Sequence, residues 1–239
     1  MKNLISISLP LMYCLATFGA DKPPFSYVWG KAFHVLPETH SDESGYFSLC
    51  EGRDGRIYVG TAKYNHNAYL VEFDPVTEKQ RVVVDAHKVC NLDAKGYAAQ
   101  AKFHTRNFVG PSGIIYAGTK QGYRLKGDES EYKGGYLITY DPRNDHSENL
   151  GVPYPKQGIA DVVADESRGL IYVVTCEDQH WMIYDRASKK FTELGPMLTP
   201  YATTLIDDDG RAHSLTKDFH LATYDPSTKK VTERSIQVG

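Results

Sequence analysis

Cysteine is scarce in this chain and forms no pattern. Four occur in 239 residues, with no CxxC pair and no Cys/His spacing of the kind that holds zinc. Net charge is equally sparse, with 27 Lys+Arg against 30 Asp+Glu and a formal charge of -3. A protein that coats a phosphate backbone needs an excess of clustered cations, so nucleic acid is excluded as a partner. Disorder is excluded too, because it requires low hydrophobicity with high net charge, and 41% of this chain is hydrophobic. Beyond residue 24 no apolar run approaches the about 20 residues needed to cross a bilayer, so no membrane span is expected. There is no Gly-x-Ser-x-Gly elbow, P-loop or dinucleotide fingerprint.

What is abundant is tyrosine, at 17 residues, with 20 Gly and 12 Pro. That balance favours strands and turns over helices. At the N-terminus, Met1-Lys2-Asn3 is a short basic stretch and residues 4–18 are mostly apolar. Small residues Thr17 and Gly19 follow where a signal peptidase reads, so residues 1–20 are expected to be a signal peptide and the mature chain secreted or periplasmic. Removing Cys14 leaves Cys50, Cys90 and Cys176. A Cys50–Cys90 bridge is open in an oxidising compartment, but buried inert thiols are the favoured reading.

A repeat organises the rest. Gly55-Arg56-Ile57-Tyr58-Val59-Gly60-Thr61 recurs as Gly113-Ile114-Ile115-Tyr116-Ala117-Gly118-Thr119 and as Gly169-Leu170-Ile171-Tyr172-Val173-Val174-Thr175. A weaker copy is Gly210-Arg211-Ala212-His213-Ser214-Leu215-Thr216. Each is followed by a second motif that ends in Phe73-Asp74-Pro75, Tyr140-Asp141-Pro142, Tyr184-Asp185 or Tyr224-Asp225-Pro226. A polar turn and a further short strand come next. The Asp residues are expected to cap N–H groups at these turns rather than to bind a ligand.

Four-stranded antiparallel units at this spacing are expected to be blades of an all-β propeller. On these two motifs the chain resembles the broad β-propeller superfamily over residues 45–238. Blades are expected at about 45–86, 100–152, 157–197 and 201–238, after an N-terminal strand segment at 21–44 that includes Phe33-His34-Val35-Leu36. That extra strand has no obvious partner, which favours the front part of a larger ring over a complete four-bladed one.

Propeller sites gather at one mouth of the ring, so the loops after each blade's second strand carry the functional candidates. The loop at 120–133 is too long for a hairpin and is expected to form a rim or lid. Alternation along Lys102-Phe103-His104-Thr105-Arg106 sends Lys102, His104 and Arg106 to one face. Near-neutral His104 and bidentate Arg106 suit acid–base work beside a carboxylate, with Tyr64 and Tyr123 as further proton carriers. Lys63, His66, Lys102, Lys120 and Arg124 are the expected substrate-binding residues. His40, Asp161 and Tyr201 lie where they could reach the same mouth.

This set is loosely similar to secreted propeller polysaccharide lyases, which implies a carbohydrate or small anionic ligand and elimination next to a uronate. The resemblance assigns no residue its role. A non-catalytic scaffold with 120–133 as the contact rim is the alternative, ahead of a lactonase-like or redox-cofactor propeller. No cofactor is assigned; a divalent metal held by His40, His66, His104, His180 or His220 is a lesser option.

Overall fold

The computed structural model describes residues 30–43 and 47–236. The expected signal peptide lies outside the described residues. Two units are distinguished, residues 1–33 and 34–239, and the second holds all the sheets.

Blade one is formed by β1 (Leu49–Glu51), β2 (Ile57–Gly60), β3 (Tyr69–Asp74) and β4 (Lys79–Asp85). A five-residue helix, α1 (Ala86–Cys90), is capped by the Asp85 side chain and leads towards blade two. Blade two contains β5 (Lys102–Phe103), β6 (Phe108–Val109), β7 (Ile115–Lys120), β8 (Leu137–Asp141) and β9 (His146–Gly151). Blade three is β10 (Gly158–Asp165), β11 (Leu170–Cys176), β12 (Trp181–Asp185) and β13 (Lys190–Glu193). Blade four is β14 (Leu205–Ile206), β15 (Ala212–Leu215), β16 (His220–Asp225) and β17 (Lys230–Ser235). All pairings within blades are antiparallel and follow chain order, with β5 and β6 together forming the interrupted inner strand of blade two. These are four blades of a β-propeller.

The repeated motifs explain how the blades stack. In β2, β7 and β11 the Tyr of the repeat points towards the next blade, and Tyr58, Tyr116 and Tyr172 are all fully buried. Tyr58 and Leu70 meet Phe103, Ile115 and Ile138. Tyr116 and Leu137 meet Ile159, Ile171, Val173 and Met182. Tyr172, Val174, Trp181 and Ile183 meet Ala212, Ala222 and Tyr224. Burying such side chains is the main driving force for the stack, at about 1.5–3 kcal/mol for a large aliphatic or aromatic residue. Gly60 and Gly118 allow the close approach, since a Cβ would come 2.6 Å from Phe103 and 2.4 Å from Ile159.

Polar contacts stitch neighbouring hairpins along one rim. Arg53 Nε donates to the Gly110 carbonyl, Ser112 Oγ to Glu166, and Arg168 to the Asp209 carbonyl. On the same side, in the turns after β3, β8, β12 and β16, the Asp residues cap as expected: Asp74 accepts from the Val76 and Thr77 amides, Asp141 from Arg143, Asp185 from Ala187 and Ser188, and Asp225 from Ser227.

Two expectations need correction. Phe33-His34-Val35-Leu36 forms no strand, and within residues 30–43 the only regular element is a 3-10 turn at Pro37–Thr39. Pro37 has no N–H to give a ladder and starts the turn instead. The inner strand of blade two is not continuous from 101 to 107 either. Asn107 adopts φ +48 and its side chain takes hydrogen bonds from Ser48 and Thr105, which breaks the ladder between β5 and β6.

Candidate functional site

The site is built on β5. The segment after β2 adds to its outer edge: Lys63 N donates to the Ala101 carbonyl, Phe103 N donates to Thr61, and Ala62 bridges Lys102. On the other edge Lys102 lies directly opposite Lys120 of β7. Two like charges are therefore held face to face, an arrangement that costs energy in a sheet unless something offsets it.

One carboxylate is available and it goes to Lys120. The Glu177 carboxylate pairs with the Lys120 ammonium and also accepts from the Gly158 amide and Gln121. Burial works against the charge on Lys120, but the Cys176 sulfur and Glu177 together hold its pKa above the usual lysine value. Lys102 is left without an acid among the described residues. Its Nζ sits 5.0 Å over the Tyr64 ring, and burial together with the charge of Lys120 pushes its pKa down.

The aromatic side of the site comes from two loops. Tyr64 and Tyr123 meet edge to face with ring centroids 4.8 Å apart, and Tyr123 is 71% exposed. Gly122 makes the meeting feasible, since any Cβ there would lie 2.9 Å from the Tyr64 backbone. The long loop is anchored rather than loose. Asp128 and Ser130 accept from the amides of Tyr97 and Ala98, and Tyr132 is buried beneath it. Gln121 is buried too, and its Oε1 finds no donor among the described residues.

His104 follows on the same face as Lys102 but lies deeper. Its Nδ1 contacts the Ile159 carbonyl at 2.8 Å, so Nδ1 carries the proton and Nε2 is the basic nitrogen. Burial, aided by Lys120 and Lys102, pushes the imidazole down to about 4, so it is neutral at pH 7.

Arg106 belongs to a different neighbourhood, about 13 Å along the strand from Lys102 at 3.3 Å per residue. It reaches Asp161 of β10 at 3.3 Å, and buried Asp161 also accepts from Thr203. These residues line a cavity of about 610 Å³ between the inner strands of blades two, three and four.

The nine expected site residues thus divide. Lys102, Lys120, Tyr64 and Tyr123 come together, with His104 beneath. Arg106 joins the Asp161 cavity. Lys63 is occupied by Asp42 at 2.7 Å, and the Tyr64 amide is held by Glu43. His66 packs on His40, ring centroids 4.9 Å apart. Arg124 folds back over Tyr97 and donates to the Asp128 and Ser130 carbonyls. His180 stacks on Tyr154 at 3.6 Å and contacts Glu193. No cluster of three metal-ligating groups is found among the described residues. Cys50, Cys90 and Cys176 are unbridged, with burial raising Cys50 and Cys90 to about 12.

Glu177, Gln121 and Gly122 were not singled out by sequence. The signal for the first was present, because Lys120 and Cys176 each follow the Thr that ends the repeated strand motif, which puts Glu177 on the same rim as Lys120.

No family model matches the chain, and no curated protein matches it. Solved structures do. PorZ, a surface component of the type-IX secretion system of Porphyromonas gingivalis, matches with TM-score 0.50 and 11% identity over 78% of this chain and 27% of its own. The WD40 repeats of RRP9 match with TM-score 0.50 and 8% identity over 78% of this chain and 50% of theirs. A puromycin-hydrolysing peptidase from Mycobacterium tuberculosis matches with TM-score 0.50 and 12% identity, over 79% and 31%. The propeller fold is what they share with this chain, which spans half or less of each neighbour's length. No described helix is long and apolar enough to cross a membrane.

Proposed function

We propose that this chain is an exported propeller that binds an acidic carbohydrate at the Lys102–Tyr64–Tyr123 rim. The observation that carries this reading is the Lys102 ammonium, half-buried with no acidic partner among the described residues, beside an exposed aromatic pair. A uronate carboxylate offsets the unpaired charge in a charge-assisted contact. The Tyr123 ring, 71% exposed, offers the flat apolar surface on which the C–H face of a sugar packs. Titration calorimetry with a uronate oligosaccharide and its neutral counterpart tests this. The acidic ligand binds better, and Lys102→Met costs about 1.5–3 kcal/mol, roughly ten- to a hundredfold in Kd. Equal affinity for both ligands, or none for either, removes the reading.

Elimination at the same rim is the second reading, favoured by the neutral His104 imidazole with a fixed tautomer. There, Nε2 would take the proton beside the uronate carboxylate while the glycosidic C–O bond breaks and a C=C bond forms. Absorbance from new unsaturated ends across a panel of acidic polysaccharides decides it. A flat trace with retained binding leaves a non-catalytic binder.

A further inference from the structure

We propose that Lys102 captures an anionic aldehyde or 2-oxo acid covalently, as an imine on its Nζ. This goes beyond non-covalent sugar binding, although it uses the same rim.

The site treats its two lysines differently. An ordinary lysine is a poor nucleophile because its nitrogen lone pair carries a proton, and the devices that free it are burial and a neighbouring cation. Lys102 has both. Lys120 faces it directly across the sheet, Glu177 is committed to Lys120, and the Tyr64 ring covers one side of the ammonium. The groups around Lys102 are otherwise Tyr123, Cys176 and Glu177, each too distant to pair with it, and His104 on its own strand, which is neutral. Exposed lysines on the outer strands, such as Lys79 and Lys190, lack this surrounding.

The step balances with no outside oxidant or reductant. The free Nζ lone pair attacks the carbonyl carbon, and the carbonyl oxygen takes a proton to give a carbinolamine. Loss of that hydroxyl as water leaves a C=N bond whose nitrogen is protonated. The positive charge is therefore restored where Lys102 held it, and the ligand's own carboxylate supplies the counter-charge that the protein withholds. A neutral aldehyde would form an iminium with no counter-ion, which is why an anionic carbonyl compound is the class that fits.

Glyoxylate with sodium cyanoborohydride, applied to the folded full chain near neutral pH, tests the proposal by freezing the imine as a secondary amine. Peptide mass mapping at short times reads the site of modification. Lys102 is modified several-fold faster than the exposed lysines, and Lys120→Met slows it because the neighbouring charge is gone. Lys102→Arg abolishes the fast adduct, with circular dichroism to show that the variant is folded. Modification spread over lysines in proportion to exposure overturns the proposal, as does a rate at Lys102 unchanged in Lys120→Met. A methyl uronoside has no free carbonyl, so its calorimetric binding is read separately. Binding without the adduct removes only the imine, whereas the adduct without binding removes only the carbohydrate reading.

Discussion

Blade three and blade four carry the same repeat, yet the faces they turn away from the preceding blade differ. In blade three that face is Tyr172, Val174, Trp181 and Ile183, all buried against blade four. In blade four the same positions are His213, Leu215, Leu221 and Thr223. His213 keeps 24% of its side chain exposed, and instead of a packed neighbour it has hydrogen bonds to Asp207 and Thr223. Among the described residues the three core clusters join blades one to two, two to three and three to four. The motif therefore fixes strand order, while the residue types on each face decide whether that face takes part in a core.

The sharpest way to break this comparison is truncation at one matched position. Trp181→Ala removes a fully buried ring that also donates to Thr204, and should cost about 3–5 kcal/mol in urea denaturation. Leu221→Ala, at the matching position of blade four, should cost about 1 kcal/mol or less. Similar losses at both would mean that the outer face of blade four is covered in solution.

Acid tests an internal interface next. His104 lies between blades two and three with its folded pKa pushed down to about 4 from 6.5. The unfolded chain then binds more protons between those values, so stability is present above pH 6.5 and is lost as pH falls towards 4. Full linkage over that window amounts to about 3 kcal/mol. Denaturation midpoints of the wild type and His104→Asn between pH 7 and 4 measure it. The variant should lack this part of the decline, and parallel curves would show that His104 does not titrate in the folded state as its burial requires.

Gly122→Ala tests the site in the same spirit, since it forces a methyl group against the Tyr64 backbone. Overpacking of that kind costs about 1–3 kcal/mol when the surroundings must move. Gly122 is buried in an anchored loop, so stability should fall within that range and uronate binding should weaken with it.

These tests separate what the sequence makes legible from what it does not. The Asp74, Asp141, Asp185 and Asp225 corners are readable because an Asx cap is a local interaction within three residues. The alternation of Lys102, His104 and Arg106 is readable for the same reason, as a strand has period two. What alternation cannot supply is how far a shared face extends: Arg106 lies about 13 Å along the strand from Lys102 and pairs with Asp161 instead. Nor does it show that Arg124 is spent inside its own loop, or that Glu177 chooses Lys120 over Lys102. Those outcomes depend on how loops from different blades dock, which is tertiary information absent from any one repeat.

The smallest effect belongs to His213→Tyr, which restores the interior residue of the motif on the outer face of blade four. It removes hydrogen bonds to Asp207 and Thr223 that water readily replaces, and it adds a ring with nothing described to pack against. Asp207 now owes its lowered pKa first to His213 and then to Arg211, and Arg211 would still pair with it. Solvent-exposed pairs of this kind contribute little, so the change in stability should stay within about 0.5 kcal/mol. A clear stabilisation that grows with protein concentration would show instead that a tyrosine there finds a neighbouring blade, and that blade four differs from blade three only by one side chain.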